Sequence, residues 1–192
     1  MIYIQMNKQQ REQAIIDIRD KGDDYLDYDW SDSIKEDFLA VLAILGYYEV
    51  ESYFSGFSSQ GDGASFKAMY IYAKGSVKTM KGYAPQDEEL HRIATELFNI
   101  QKRCKFDLGS NIDISSSNYC HEMTMSNLNW SDRDLVSEDV VDSHDEETLE
   151  LHRDLARWYY KKLNESYDYL MSDEAIAEHL IASEREFEHE DS

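Results

Sequence analysis

The sequence predicts an α+β fold, with a four-stranded antiparallel sheet from two hairpins, helices packed on it and a C-terminal helical pair. Several segments carry apolar residues at helical spacing, and two aromatic-rich stretches are each interrupted by turn-forming residues. These segments follow the order helix, hairpin, helix, hairpin, which is typical of a sheet with helices on one face. With 192 residues, 42% of them hydrophobic, we expect one domain over residues 1–192.

Two helices are predicted before the first hairpin. Residues 8–21 form a short helix that ends at Gly22. Residues 33–45 form a firmer helix, because Ser33 and Glu36 have capping-box spacing. Its apolar stripe predicts core positions, namely Ile34, Phe38, Val41, Leu42 and Leu45.

The first hairpin is predicted to pair residues 47–58 with residues 64–73. The turn Gly61-Asp62-Gly63 lies between them, and glycine readily supplies the positive φ that tight turns need. Residues 74–83 are expected to form a loop or a fraying strand. The next helix is expected to begin at Pro85 and to carry the apolar stripe Leu90, Ile93, Leu97 and Ile100.

The second hairpin is predicted to pair residues 106–114 with residues 119–128 around a serine-rich turn. Residues 132–142 then form an acidic linker. The spacing of Ser143 and Glu146 predicts a long helix that runs through Leu170.

A last helix is predicted from Asp173 to about Phe187, with Ser172 as its cap. Together these patterns place Phe38, Leu42, Leu97, Leu155 and Trp158 in the core. Cys104 and Cys120 are too few for a disulfide framework, so we expect half-buried free thiols.

Charge is the strongest compositional signal. The chain has 40 acidic and 19 Lys and Arg residues, a net charge of −21. The helical C-terminal part, residues 131–192, holds 20 acidic and 6 basic residues. Such a chain repels nucleic acid and anionic membranes and attracts basic proteins. With no bilayer-length apolar run and no secretory signal, a cytoplasmic location is expected.

Catalytic motifs are incomplete in this sequence. The stretch Gly61 to Phe66 lacks the third glycine of a dinucleotide-binding turn, and Gly56 to Gln60 lacks the closing glycine of a nucleophile elbow. Counted from Asp27, an EF-hand loop would need glycine where Asp32 stands. We therefore predict no catalytic residue, no metal and no cofactor.

One segment resembles a known motif. The string Tyr53-Phe54-Ser55-Gly56-Phe57-Ser58-Ser59-Gln60-Gly61-Asp62-Gly63-Ala64-Ser65-Phe66 resembles that of a phage and prophage family sometimes labelled as antitoxins of toxin–antitoxin stability systems. Tyr28-Asp29-Trp30, the region 84–94 and Ala156-Arg157-Trp158-Tyr159 are similar too. The resemblance implies a mobile-element setting in a host cell and neutralisation of another protein.

The expected function is that of an acidic inhibitory binding protein, of the antitoxin, anti-defence or anti-CRISPR kind. Its partner would be a basic nucleic-acid-binding or nuclease component of host defence, or a toxin. Carboxylates at i and i+4 of a helix lie about 5–6 Å apart and can stand in for consecutive phosphates. The candidate contacts are Glu147, Glu150, Asp154, Glu174 and Glu178 on the C-terminal helices, and Ser58, Gln60 and Asp62 on the first hairpin.

Other readings stay open at the level of sequence. The acidic helices can serve solubility alone, and the hairpin string can simply fill a core around a glycine-permitted turn. An enzyme could use the carboxylates of Asp23, Asp24, Asp27, Asp29 and Asp32 with a divalent metal. A structural phage component is a third class, and the oligomeric state is open.

Overall fold

The computed structural model describes residues 2–26, 29–57, 59–116 and 119–183, with the side chains of residues 23 and 24 left undescribed. It forms two compact units, one of residues 33–162 and one of residues 1–32 with 163–192. The expectation of one domain stays a prediction. None of the helices in the described ranges is both long enough and apolar enough to span a membrane.

The fold is α+β, as the sequence predicts. Four antiparallel strands form one sheet in the order β1-β2-β3-β4. The elements are α1 Lys8–Arg19, α2 Asp32–Leu45, β1 Tyr47–Phe54, β2 Ala64–Ile71, α3 Ser76–Tyr83, α4 Glu88–Arg103, β3 Leu108–Ile114, β4 Met125–Ser131, α5 Glu138–Asp142, α6 Asp145–Leu170 and α7 Asp173–Ala182.

Aromatic rings join one face of the sheet to the helices in the unit of residues 33–162. Phe38 of α2 stacks on Tyr159 of α6 at 4.2 Å between ring centroids and meets Phe66 of β2 edge-on at 5.6 Å. Such ring pairs add specific geometry to the burial of apolar area. The predicted core is confirmed, since Phe38, Leu42, Leu97, Leu155 and Trp158 are all buried.

The segment before α4 is a helix, so the prediction of a loop or strand over residues 74–83 was wrong. Gly75 takes a left-handed conformation, with φ of 86°, immediately before α3. Ser76 and Met80, four residues apart, are buried on one side of this helix. The lysine-rich composition hid this narrow stripe, and burial of Met80 stabilises a helix that local propensity does not indicate.

Three predicted helix starts are shifted. The helix expected to start at Pro85 begins at Glu88, because the Asp87 carboxylate accepts a hydrogen bond from the Leu90 N–H at 3.0 Å. Ser143 does not cap the long helix; it ends α5, and its hydroxyl donates to the Val140 carbonyl at 2.7 Å. Ser33 lies within the first turn of α2, which begins at Asp32.

The first hairpin is confirmed, and the second has a longer connection between its strands than predicted. Gly61 has φ of 99°, the positive φ expected in the first turn. The final strand is β4, not residues 119–128, because the chain first makes a short 3-10 turn over Glu122–Thr124. His121 accepts a hydrogen bond from the Met123 N–H and stabilises that turn. The acidic linker also contains α5.

The other unit has its own small core. Tyr3, Met6, Ala14, Ile18, Ile176 and Leu180 bury one another. Arg19, in the last turn of α1, forms an ion pair with Asp173 at the start of α7. Helix α7 ends at Ala182, not near Phe187, and residues 184–192 lie outside the described part of the chain.

Candidate functional site

The predicted carboxylate row on α6 is compensated by arginines. Glu147 forms an ion pair with Arg103 of α4, and Glu150 lies 2.8 Å from an Arg157 guanidinium nitrogen. Asp154 is held most tightly, with oxygens 2.6 Å from both Arg92 and Arg157. All three positions are therefore engaged within the molecule and present less net negative charge than the sequence suggests.

A second acidic region precedes α6 and includes the first two residues of that helix. We define the acidic segment as residues 132–146, which contain seven carboxylates and one arginine. It is anchored by buried Val141 and by Asp107, whose side chain is fully buried. Its carboxylates are therefore carried on a backbone that is fixed at two points.

Both carboxylate oxygens of Asp107 accept two hydrogen bonds each. Its oxygens accept hydrogen bonds from the Ser131 hydroxyl, the Arg133 backbone and guanidinium, and the Leu135 N–H. Burial opposes ionisation, but these donors outweigh it and lower the pKa of Asp107. The segment's single arginine is thus occupied by the anchor.

The acidic segment presents uncompensated charge. Asp134, Glu138, Asp139, Asp142 and Glu146 are exposed, and within the ranges that the structure describes none of them forms an ion pair. Burial, followed by the neighbouring Asp142 carboxylate, raises the pKa of Asp145. Exposed Leu135 and Val140 lie among these charges. The segment can therefore offer a basic partner both carboxylates and apolar contact.

The three candidate contact residues of the first hairpin differ in exposure and in hydrogen bonding. Gln60 is exposed. Asp62 instead organises its own loop, since its carboxylate accepts a hydrogen bond from the Ser59 N–H at 2.6 Å. Ser58 lies outside the described residues. Phe66 is buried and Phe57 stacks on Tyr160 at 5.5 Å, which supports the core-filling reading of the string.

The C-terminal candidates Glu174 and Glu178 are exposed on α7. Glu178 lines a pocket of about 580 Å³ together with Asp29 and His179. Of the carboxylates proposed for a metal-dependent enzyme, this lining includes Asp29 alone. Asp27 and the side chains of Asp23 and Asp24 lie outside the part of the chain that the structure describes. Among the described residues, no three His, Cys, Asp or Glu side chains are grouped to hold a metal ion.

Buried His152 is one titratable group with an unusual environment. Its Nδ1 lies 2.8 Å from the Tyr47 hydroxyl, and burial lowers the pKa of His152 to about 3. The imidazole is therefore neutral at ordinary pH. Cys104 and Cys120 are buried thiols outside any disulfide among the described residues, more buried than expected, and burial raises both thiol pKa values.

Comparison with protein families gives one match. The model described as "Domain of unknown function (DUF8835)" matches residues 30–173. The chain belongs to the DUF8835 family. Neither the search of curated proteins nor that of solved structures found a match. The matched segment includes the sheet, the acidic segment and the α6 row, whereas Glu174 and Glu178 follow its last residue.

One group of lysines that line a common pocket was not predicted from the sequence. A pocket of about 1060 Å³ is lined by aromatic rings and by three lysines, Lys74, Lys78 and Lys81. Because residues 74–83 were predicted as a loop or strand, their lysines were not placed together. Lys78 and Lys81 have a spacing that places them on one side of a helix, whereas Lys74 precedes α3 and no local pattern links it to them.

Proposed function

We propose that this DUF8835 protein is an inhibitory binding protein that presents the acidic segment to a basic surface of another protein. The partner would be a nucleic-acid-binding or nuclease component of host defence, or a toxin, so the protein acts by binding and not by catalysis. The observation that carries the proposal is the set of exposed, unpaired carboxylates in residues 132–146. It also rests on the net charge of −21.

Electrostatics supports such a role. Complementary charge speeds encounter and suppresses wrong partners, and like charge keeps nucleic acid away from the inhibitor itself. Exposed Leu135 and Val140 add apolar contacts that remain when salt screens the charges. The α6 row contributes less, because its carboxylates are already paired with arginines.

The test begins with capture of partners by the full-length protein from host and phage-infected cells. A supporting result is a basic protein whose binding to the chain is competed by nucleic acid and weakened by salt. The triple variant Glu138→Lys, Asp139→Lys, Asp142→Lys should then slow association by about tenfold or more at low salt.

The matched control carries the same charge change elsewhere. Glu12→Lys, Asp17→Lys, Asp20→Lys alters exposed residues on and just after α1. This control should associate at nearly the parent rate, apart from the small effect of net charge. Equal slowing by the two triple variants would leave net charge as the cause and reject the acidic segment as the binding surface.

A further inference from the structure

A pocket of positive character lies in this acidic molecule, between α3, α4 and the chain that follows α4. Its volume of about 1060 Å³ slightly exceeds the roughly 300–1,000 Å³ that is usual for ligand sites. The lining combines three kinds of group: the lysines Lys74, Lys78 and Lys81, the aromatic residues Tyr72, Phe98 and Phe106, and the polar residues Thr95 and Asn99. We call it the lysine–aromatic pocket.

The pocket's charge contrasts with the rest of the chain. Its lining contains three lysines and no acidic residue, although the chain has 40. Lys78 and Lys81 are three residues apart on α3, and Lys74, which precedes that helix, lines the same pocket, so all three lysines border one space. Within the described chain these lysines form no ion pair. The pocket is therefore complementary to an anion.

The aromatic wall is a continuous cluster. The ring centroids of Tyr72 and Phe106 are 5.3 Å apart, and those of Phe98 and Phe106 are 5.8 Å apart. Phe106 remains 42% exposed. A planar apolar group entering the pocket would meet ring surface that water now contacts.

The backbone holds Phe106 there in an unfavourable conformation. Lys105 and Phe106 have φ of 54° and 57°, which non-glycine residues rarely adopt. The Arg133 guanidinium donates to the Phe106 carbonyl at 2.8 Å and ties it to the Asp107 anchor. The Phe106 N–H donates to the Gln101 carbonyl at 2.6 Å, so the C-terminal end of α4 also fixes the position of this ring.

These features point to a ligand with both a planar ring and an anionic group. A nucleotide has this chemistry, since its base can stack on aromatic side chains and its phosphate can accept hydrogen bonds from lysines. Asn99 is exposed in the lining and can pair with a base edge. Inorganic phosphate or an apolar ligand alone would use only part of the lining.

We propose that the lysine–aromatic pocket binds a nucleotide, with Lys74, Lys78 and Lys81 on the phosphate and Phe106 stacked on the base. The proposal does not rest on the proposed function, although Arg133 of the acidic segment helps to hold the Phe106 backbone. The nucleotide can be free or the end of a strand, but the net charge of −21 repels a long polyanion more than a mononucleotide. The expected ligand is therefore a free mononucleotide.

The test is calorimetric titration of the full-length protein, at low salt, with the four ribonucleoside monophosphates, ATP, their nucleosides and inorganic phosphate. At least one nucleotide should bind, and its nucleoside should bind more weakly by about tenfold, as expected for loss of a charge-assisted hydrogen bond. A 5′-phosphorylated oligonucleotide that binds more tightly would identify a strand end as the ligand, and weaker binding identifies the free nucleotide.

Variants separate the two halves of the site. Lys78→Gln should weaken nucleotide binding by about tenfold while leaving nucleoside binding unchanged. Phe106→Leu should weaken both by a similar factor. Lys102→Gln is the matched control, because Lys102 is exposed on α4 but does not line the pocket.

Two outcomes would overturn the proposal. One is the absence of binding by every nucleotide at about 1 mM, a concentration that detects even weak sites. The other is an equal effect of Lys78→Gln and Lys102→Gln, which would mean non-specific attraction. If Phe106→Leu fails to fold, as judged by circular dichroism, the two lysine variants still decide, because both positions are exposed.

Discussion

At the scale of single residues, Trp158 stabilises the fold by burying apolar area and by donating a hydrogen bond. Trp158 combines the two, because its ring is buried while its indole N–H donates to the Asp87 carboxylate at 2.8 Å. Asp87 in turn caps α4. Although burial opposes ionisation, the hydrogen bonds from Leu90 and Trp158 lower the pKa of Asp87. One side chain thus connects α6 to the start of α4.

Replacement of this ring tests the core. Trp158→Ala should lower the free energy of unfolding by about 3–5 kcal/mol, because it leaves a cavity and frees the Asp87 oxygen from its donor. Trp158→Phe should cost less, since most of the apolar volume remains. Urea denaturation followed by circular dichroism measures both. Unchanged midpoints in the alanine variant would contradict the buried position.

The hairpin turn offers a paired comparison. A Cβ at Gly63 would lie 3.2 Å from the His121 Cα and 3.3 Å from the Cys120 carbonyl, so Val there presses on backbone. Asp62→Ala removes a carboxylate that accepts a hydrogen bond from the Ser59 N–H in an exposed loop, and it leaves the backbone contacts of Gly63 in place. Gly63→Val should therefore lower the melting temperature more than Asp62→Ala. Equal, negligible shifts in both variants would show that this contact is loose.

At the scale of elements, α6 carries a row of carboxylates that form ion pairs with arginines of α4 and of α6 itself. Asp154 bridges Arg92 and Arg157, and its side chain is 18% exposed, whereas Glu147 in its pair is 49% exposed. Partial burial strengthens an ion pair, and solvent screens the exposed one. Two of the three carboxylates in this row, Glu147 and Asp154, therefore form ion pairs that link α6 to α4.

This difference predicts an order of stability effects. Asp154→Asn should cost roughly 1–2 kcal/mol, because two guanidinium groups lose their anion, and Glu147→Gln should cost about 0.5 kcal/mol or less. Chemical denaturation at low and moderate salt measures both, and salt should reduce the Glu147 effect further. The reverse order would mean that the Asp154 bridge contributes little.

At the scale of the whole molecule, acid should destabilise the protein. The pKa of His152 is lowered to about 3 in the folded protein, whereas the pKa of a histidine in the unfolded chain is about 6.5. Between these values the unfolded chain binds one more proton than the folded one. Stability contributed by neutral His152 is therefore present above about pH 6.5 and is lost as the pH falls, by about 1.4 kcal/mol per pH unit.

Denaturation series between about pH 6.5 and 4 test this dependence. His152→Gln should be less stable at neutral pH but should have a smaller pH slope than the parent. Below about pH 4 the slope should persist in both proteins, because Asp107 and Asp87 have lowered pKa values and their stabilisation is lost as they protonate. An unchanged slope in the variant would contradict the buried neutral imidazole.

The two compact units make cooperativity measurable. The expectation of one domain over residues 1–192 predicts a single calorimetric transition whose calorimetric and van't Hoff enthalpies agree. Two transitions would correspond to separate unfolding of residues 33–162 and of the unit formed by both chain ends. Loss of one transition in Trp158→Ala would assign it to the larger unit.

The sequence by itself determined the α+β class, the first hairpin, the core stripe of α2 and the long helix α6. These features depend on local periodicity and turn chemistry, which are written in neighbouring residues. Helix α3 escaped prediction, because its narrow stripe of Ser76 and Met80 is recognisable only once the rest of the core covers it. The start of α6 was misplaced because Ser143 ends the short helix α5, which the sequence did not predict.

Only the tertiary structure decided which charged groups and aromatic rings are left exposed for contact with a ligand or a partner. The carboxylates of Glu147, Glu150 and Asp154 look like those of the acidic segment in sequence, but they pair with arginines, whereas five exposed carboxylates of the acidic segment form no ion pair with a described residue. The lysine–aromatic pocket joins residues 72–81 to residues 95–106. Pairing and convergence depend on distances between segments remote in sequence, and local patterns carry no record of those distances.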